Sequence, residues 1–454
     1  MKPNSPLILM ILMFPLCLAG SIKSGTRFLI NKIGELPKVN PATPNPGVAG
    51  AFSGITCGKL IIAGGANFPD KKPWEGGTKT FHDRIYIYTL ANDSLLPVEG
   101  NWTLPRPLAY GTSVTLSDGV LIIGGNDIDK CYKGVYLLKW DTSGNELLTE
   151  IFPELPVPLS CSSAVLLDNS VYLIGGSTST DAVDSGSHFL RLDLSKQHTA
   201  NFGWEVMPPF PGPGRILPVA AVQSNGIRPC IFLFSGRNIS KKNEVKVFRD
   251  GIVYDPGLQK WESLNITPSN DFPLMAGVAF PVGDSEIAFA GGAPGDLFIQ
   301  QMDLTKQLAY STGLHDSSLI LQSKNALTEY FTHHPGFSKN IIVFNTIAQT
   351  ITKRGEFECL CPVTTNAVPY KNGVILTCGE IKPGIRTPDI IRISRSAKSF
   401  GFGWLNSFAI FLSFIVLGAI GFIVSNKVKR RMPANVKKQS SAFKHSVPGN
   451  GKII

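Results

Sequence analysis

The chain has 454 residues, of which 43% are hydrophobic and 17% charged, and it contains 45 Gly and 33 Pro. This composition excludes a disordered or collagen-like chain and favours many tight turns over long helices. Of the net charge of +10, eight Lys or Arg lie beyond position 404 and Lys2 adds one more, so residues 3–403 carry only +1. Because a nearly neutral body offers no electrostatic footprint for nucleic acid, no nucleic-acid partner is expected.

The first element is a short apolar run from Leu7 to Ala19, which follows Lys2 and precedes small residues. At about 13 residues it is too short to cross ~30 Å of hydrocarbon, but it suits the core of a signal peptide. Residues 1–20 are therefore predicted to be a signal peptide, with a buried strand or helix as the alternative.

The next region, residues 48–380, repeats one pattern. A strand of small and apolar residues is followed by a polar turn and by an apolar strand that ends in two small residues. The second strands of the six units are KLIIAGG (59–65), GVLIIGG (119–125), SVYLIGG (170–176), PCIFLFSG (229–236), SEIAFAGG (285–292) and GVILTCGE (373–380). Since four short strands in ~50 residues are typical of a kelch blade, residues 27–394 are predicted to form an all-β, six-bladed kelch-type β-propeller. Six unrelated hairpins in a sandwich are the alternative.

Two departures from the regular spacing carry information about the ring. The interval between the fifth and sixth units is longer than the others, which predicts an insertion around residues 300–338. The sixth unit has only three strands, whereas Arg27–Leu36 has the character of a fourth strand. This N-terminal strand is expected to complete the sixth blade, which closes the ring and removes two exposed sheet edges.

After a linker at residues 395–403, residues 404–425 form an apolar segment without a charge. At ~1.5 Å per residue it reaches about 33 Å, enough for a single transmembrane helix. Trp404 lies at one edge, and four basic residues lie within 427–431 at the other. The positive-inside rule then leaves the basic tail, 426–454, in the cytoplasm and the propeller on the extracytoplasmic side of the membrane. A buried core helix is the alternative.

No pattern points to a metal or another cofactor, and none is expected. The His residues are scattered, and the adjacent His333 and His334 point to opposite sides of an extended chain. A carboxylate, Glu380, instead follows GVILTCG, which is interpreted as an inner strand, at a mouth of the central channel. Pro383–Gly384 is expected to turn the chain so that Arg386 lies beside Glu380. This pair is either a structural salt bridge or a proton-transfer group beside a carboxylate-binding fork.

The segment GEIKPGIRT (379–387) resembles the GEAKPGLRT-type motif of the bacterial N-acetylneuraminate epimerases, or sialic acid mutarotases, which are six-bladed kelch-like propellers. Further segments are similar to units of that family, but they come in a shifted order, so the chain resembles a cyclically permuted member over roughly residues 28–393. These segments are PGVAGAFSGITCGKLIIAGGANFP (46–69), WEGGTKTFHDRIYIY (74–88), LAYGTSVTLSDGVLIIGG (108–125) and FPLMAGVAF (272–280).

The resemblance implies an enzyme, an isomerase that opens and recloses the pyranose of N-acetylneuraminate or a related sugar by acid–base catalysis. It implies that Glu380 accepts the proton and that Arg386 binds the sugar's carboxylate. It also suggests two further substrate-binding residues, Arg215 in FPGPGR, expected in the same channel, and Glu75 in the segment 74–88.

Departures from the family pattern, together with the predicted membrane anchor, leave an alternative open. The family's Arg before Ala-Tyr-Gly is Leu108 here, and the His of its Met-Ala-Gly-His unit is Val278. If those side chains contact the sugar in the family, this chain has lost the contacts. The alternative is a non-catalytic kelch ectodomain that binds a glycan or protein ligand.

Overall fold

The computed structural model describes residues 28–92, 94–183, 185–266 and 274–396. The alternation of apolar stretches and turns folds into six antiparallel sheets of four strands, one of which carries a short fifth strand. The predicted signal peptide (1–20), membrane-spanning segment (404–425) and basic tail lie outside the described residues. None of the helices in the described part is long and apolar enough to cross a membrane.

The elements follow one another blade by blade. Blade 1 and the strand before it comprise β1 (Phe28–Glu35), β2 (Phe52–Thr56), β3 (Lys59–Ala63), β4 (Ala66–Asn67), β5 (Thr80–Phe81), β6 (Arg84–Ala91), β7 (Ser94–Pro97) and β8 (Trp102–Thr103). Blades 2 and 3 comprise β9 (Thr112–Thr115), β10 (Val120–Ile123), β11 (Val135–Asp141), β12 (Glu146–Ile151), β13 (Ser163–Leu167), β14 (Ser170–Ile174), β15 (Phe189–Asp193) and β16 (Trp204–Val206).

The second half continues in the same way. Blade 4 comprises β17 (Val219–Ser224), β18 (Pro229–Phe234), β19 (Arg237–Ile239), β20 (Val245–Val247), β21 (Gly251–Asp255) and β22 (Lys260–Ser263). Blades 5 and 6 comprise β23 (Val278–Val282), β24 (Glu286–Ala290), α1 (Gly295–Gly313), α2 (Ser317–His333), β25 (Asn340–Asn345), β26 (Thr350–Glu356), β27 (Ala367–Tyr370), β28 (Gly373–Thr377), β29 (Glu380–Lys382), β30 (Ile385–Arg386) and β31 (Asp389–Arg395).

The first strand of each blade is the one that faces the propeller axis. These six strands contact one another in the closed order β2, β9, β13, β17, β23, β27 and back to β2. The predicted six-bladed ring is thus confirmed. The interpretation of GVILTCG as an inner strand is wrong, because β28 lies between β27 and β31 and is the second strand from the axis.

The ring closes through its N-terminal strand, as the sequence predicts. β1 pairs antiparallel with β31, with Ile30 opposite Ile393, and so becomes the outermost strand of blade 6. The blade therefore takes three strands from one end of the propeller sequence and one from the other. Because β1 pairs along β31, the edge of β31 is covered, and β1 is the single outer edge strand of the blade.

The predicted insertion is the helical hairpin α1–α2, which lies between the second and third strands of blade 5. The Asp316 carboxylate caps α2 by accepting the N–H groups of Ser318 and Leu319. Phe331 of α2 stacks on Trp74 of blade 1, with ring centroids 4.9 Å apart and planes at 9°. The hairpin thereby extends past blade 6 and contacts blade 1.

A closed ring of backbone hydrogen bonds surrounds the axis, and we call its six members the axial ring. Each member lies two or three residues before the start of the first strand of its blade. Its N–H donates to the carbonyl of the member in the preceding blade, at N···O distances of 2.6 to 3.1 Å. The members are Gly50, Tyr110, Cys161, Leu217, Ala276 and Thr364, all with φ between 50° and 67°. The left-handed conformation turns each N–H toward its neighbour, so six separate blades become one hydrogen-bonded circle.

The hydrophobic core lies between neighbouring blades. All five residues of β14 are buried. Leu121 of blade 2 and Leu173 of blade 3 belong to one apolar cluster that joins the two blades. Since burying one such side chain contributes roughly 1.5–3 kcal/mol, these faces supply much of the stability that holds the blades in their positions.

The paired small residues are explained by the approach of the next blade. Gly124 has φ +58°, and a Cβ on it would lie 2.3 Å from the carbonyl oxygen of Leu159 in blade 3. The N–H of Gly125 donates to this same carbonyl at 2.8 Å. Glycine is therefore needed both for the left-handed backbone and for the close contact between blades.

We expect Gly124→Ala to lower the free energy of unfolding by about 2–4 kcal/mol, because strain in the left-handed region adds to the clash with Leu159. Gly58→Ala is the matched control, since Gly58 has φ +73° but nothing within 4 Å of its added Cβ. Urea unfolding of the purified proteins measures both. Equal losses for the two variants would contradict the interblade explanation.

Candidate active site

A cleft of about 410 Å³ opens on the propeller axis, with five of the six axial-ring residues in its lining. The segments that follow the second strands form part of its wall. Phe298 and Gln301 of α1 and Phe331 of α2 form another part. The helical hairpin of blade 5 therefore narrows a cleft that the six blades otherwise share.

One residue per blade occupies an equivalent place at this end of the channel, and we call it the mouth position. It follows the second small residue of the second strand, and its backbone is bonded to the residue just before the axial-ring residue of the same blade, as Glu380 is to Val363. The mouth positions are Ala66, Asn126, Ser177, Arg237, Ala293 and Glu380. Four are neutral, so one cation in blade 4 and one carboxylate in blade 6 break the sixfold pattern.

The carboxylate of Glu380 is held on one side only. Its Oε1 accepts the Gly384 N–H at 2.8 Å and the Arg386 Nη1–H at 2.7 Å, whereas no described residue donates to Oε2. The Pro383–Gly384 turn joins β29 to β30, with Gly384 at φ +80°, and brings Arg386 back to Glu380 as the sequence predicts. With 19% of its side chain exposed, Glu380 presents one free oxygen in the cleft.

The Arg386 side chain is almost fully buried and contacts other residues of the protein. It is 4% exposed and lies over the ring of Phe68 at 4.9 Å, and its Nη2 donates to the Tyr110 hydroxyl at 3.4 Å. Burial lowers the pKa of Arg386, but Glu380 and Tyr110 outweigh this effect and raise it above its ordinary value. The guanidinium is positively charged and forms its ion pair with the Glu380 carboxylate. In this geometry its Nη1 binds Glu380, whereas the resemblance implied a sugar carboxylate as its partner.

Arg237 also lines the cleft, and the sequence analysis missed it. Its guanidinium lies 4.5 Å from the centroid of the Phe298 ring, and its buried Nη1 has no hydrogen-bond partner among the described residues. Burial lowers the pKa of Arg237, with the Cys161 thiol opposing the shift. An alignment of the six units would have identified Arg237, because it follows the paired small residues of its unit just as Glu380 follows those of the sixth unit.

Arg215 lies elsewhere, although the sequence analysis expected it in the channel. It is 1% exposed, pairs with both carboxylate oxygens of Asp250 at 2.7 and 3.1 Å, and lies 4.1 Å from the centroid of the Phe248 ring. Arg215 is equivalent in position to Leu108 of blade 2 and Leu159 of blade 3. The backbone carbonyl of each of these three residues accepts an N–H from a glycine of the preceding blade. The Arg215 side chain packs inside the protein and does not line the cleft.

The other expected positions also lie outside the cleft lining. Glu75 is about half exposed and lies 3.8 Å from Lys72 at the end of a 3₁₀ turn. Leu108 and Val278, the two departures from the family pattern, are 2% and 5% exposed and belong to apolar clusters between blades. Those two substitutions therefore remove no polar group from this cleft.

The cleft carries a small excess of positive charge. Of the described residues in its lining, three are cations and two are carboxylates; these are Lys79, Arg237, Arg386, Asp181 and Glu380. Since Arg386 is paired with Glu380, the excess resides on Arg237 and Lys79. An anionic small molecule is the ligand that this arrangement favours.

We expect Asp250→Asn to lower the free energy of unfolding by about 2–3 kcal/mol, because it leaves the buried Arg215 guanidinium without its counter-charge. Arg215→Leu combined with Asp250→Asn should recover part of this loss, since Leu fills the equivalent place in blades 2 and 3. Urea unfolding measures both proteins. Full stability of Asp250→Asn together with weakened sugar binding would return Arg215 to the substrate site.

Comparison with known proteins places these features in a family. The sequence model of the N-acetylneuraminate epimerase family matches residues 22–148 and 152–409 of the chain. The solved structure titled "Structure of YjhT" superposes with a TM-score of 0.50 at 16% identity, covering 79% of this chain and 97% of that one. This structural likeness supports the propeller fold.

Curated relatives carry the same family name. The chain is 41% identical to the N-acetylneuraminate epimerase of Vibrio cholerae over 25% of its own length and 31% of that protein. It is 24% identical to the N-acetylneuraminate epimerase of Salmonella paratyphi B over 53% of its own length and 57% of that protein. The chain thus spans about a third to just over half the length of these relatives, and the permuted order of its segments stays a prediction.

Proposed function

Because the chain belongs to the N-acetylneuraminate epimerase family, we propose that its propeller interconverts the α and β anomers of N-acetylneuraminate. The observation that carries this proposal is the single free oxygen of Glu380 in the axial cleft. The cleft volume of about 410 Å³ lies within the range of roughly 300–1,000 Å³ found for small-molecule sites. Its excess of positive charge suits a sugar acid.

The proposed reaction opens and recloses the sugar ring. Glu380 Oε2 removes the proton from the anomeric hydroxyl, whose oxygen then forms the carbonyl double bond. The bond between the anomeric carbon and the ring oxygen breaks, and the ring oxygen takes up a proton from solvent water, to which it is returned when the ring closes. Rotation about the bond next to the open carbonyl exposes its other face, and the same steps in reverse close the ring as the other anomer.

In this proposal Arg386 acts through Glu380. Its Nη1 and the Gly384 N–H bind the same oxygen, Oε1, and leave Oε2 without a described donor in a residue that lines the cleft. Arg386 is therefore a positioning residue, and the carboxylate of the sugar needs another partner.

The alternative of a non-catalytic binding ectodomain draws no support from the cleft. It rested on the Leu108 and Val278 departures and on the predicted membrane anchor, and both of these side chains are buried between blades rather than in the cleft lining. The paired Glu380 and Arg386 remain in place. A measurement of anomerisation separates the two functions directly.

We expect Glu380→Gln to lower catalysed anomerisation at least 100-fold, because an amide keeps the shape of the side chain but cannot take up the proton. One-dimensional proton NMR of freshly released α-N-acetylneuraminate follows the approach to equilibrium. Glu146→Gln, an exposed substitution on the outer strand of blade 2, is the control expected to retain full activity. Full activity of the Glu380 variant would overturn the catalytic assignment.

We propose further that the propeller is tethered to a membrane and faces away from the cytoplasm. The support is the uncharged segment 404–425, the basic residues that follow it and the signal-like segment 1–20, all outside the described residues. In intact cells, an epitope inserted at the exposed turn around Gly58 should bind antibody, and one at the C-terminus should bind only after permeabilisation. The reverse pattern would overturn this orientation.

A further inference from the structure

Arg237 and Glu380 occupy the same mouth position of two different blades. Each follows a small residue and a glycine, and the backbone of each is bonded in the same way, Arg237 to Ile216 and Glu380 to Val363. Both side chains line the one axial cleft. The propeller therefore presents a guanidinium and a carboxylate to the same ligand from blades 4 and 6.

Arg237 is partly buried, and one nitrogen of its guanidinium is enclosed without a partner. Its Nη1 is enclosed without a hydrogen bond, and no described carboxylate forms an ion pair with it. An enclosed, unsatisfied guanidinium nitrogen is costly, and a bound anion would remove that cost. The contact with the Phe298 ring at 4.5 Å orients the group without using its hydrogen-bond donors in the guanidinium plane.

The other cations of the cleft are less suited to bind a carboxylate. Arg386 also has an enclosed Nε without a described partner, but its Nη1 donates to Glu380, its Nη2 donates to Tyr110, and only 4% of its side chain is exposed. Lys79 lies 5.3 Å from the centroid of the Tyr110 ring, and its single ammonium cannot make the two parallel hydrogen bonds of a guanidinium–carboxylate pair.

Resting on the function proposed above, we infer that Arg237 binds the carboxylate of the substrate. In a 2-keto sugar acid the carboxylate is attached to the anomeric carbon itself. Anchoring it to Arg237 therefore fixes the anomeric hydroxyl relative to Glu380. The substrate class is the acidic 2-keto sugars, and a neutral sugar loses the anchor.

The test compares the wild-type chain with Arg237→Gln for two ligands, N-acetylneuraminate and its methyl ester, by calorimetric binding and NMR anomerisation. For the acid, we expect binding to weaken about 10- to 100-fold in the variant, as on loss of a hydrogen-bonded ion pair. For the ester, the two proteins should bind alike. Arg228→Gln, a partly exposed arginine outside the cleft lining, is the control and should match wild type for both ligands.

The thermal midpoint distinguishes a binding role from a structural one. Because Nη1 has no partner to lose, Arg237→Gln should unfold at or above the wild-type temperature. Equal penalties for acid and ester, or unchanged binding of the acid, would overturn the inference. If wild type binds the acid in an Arg237-dependent way but does not speed anomerisation, the proposed catalysis fails and the carboxylate anchor stands.

Discussion

The closed circle of six backbone hydrogen bonds at the axis is the constraint on which the rest of the propeller depends. Each bond joins two blades, and each requires a left-handed residue just before the innermost strand. Only one of the six, Gly50, is a glycine, so the other five adopt a strained conformation that their neighbours maintain. The apolar faces between the blades supply the stabilising free energy, and the circle sets the register in which those faces meet.

With the blades in this register, the six mouth positions lie at equivalent places around the channel. Different residues at these positions give a repeated scaffold a specific site. Alanine, serine or asparagine at four positions leaves room, while Arg237 and Glu380 place opposite charges around the same space. The helical hairpin breaks the symmetry a second time by adding aromatic side chains from blade 5 alone. A nearly sixfold fold thus holds a cleft with no symmetry of its own.

Three arginines with different surroundings, Arg215, Arg237 and Arg386, illustrate that residue type does not settle a role. Arg215 pairs with Asp250 inside the protein, Arg386 pairs with the residue proposed as the base, and Arg237 has an enclosed nitrogen without a partner among the described residues. The first stabilises packing around blade 4 and the second orients a carboxylate. Each of the three has one enclosed guanidinium nitrogen without a described partner, but among them Arg237 alone lines the cleft without an ion pair to a described carboxylate.

The sequence by itself determined the number of blades, the closing N-terminal strand, the site of the insertion and the pairing of Glu380 with Arg386. These depend on local periodicity, repeat spacing and one tight turn, which nearby residues dictate. Only the tertiary structure decided which strand faces the axis, that the insertion is helical and lines the cleft, that Arg215 is buried, and that Arg237 shares a cleft with Glu380. Those outcomes depend on how separate blades approach one another, and contacts between blades are set by packing across the ring rather than by the order of residues along any one strand.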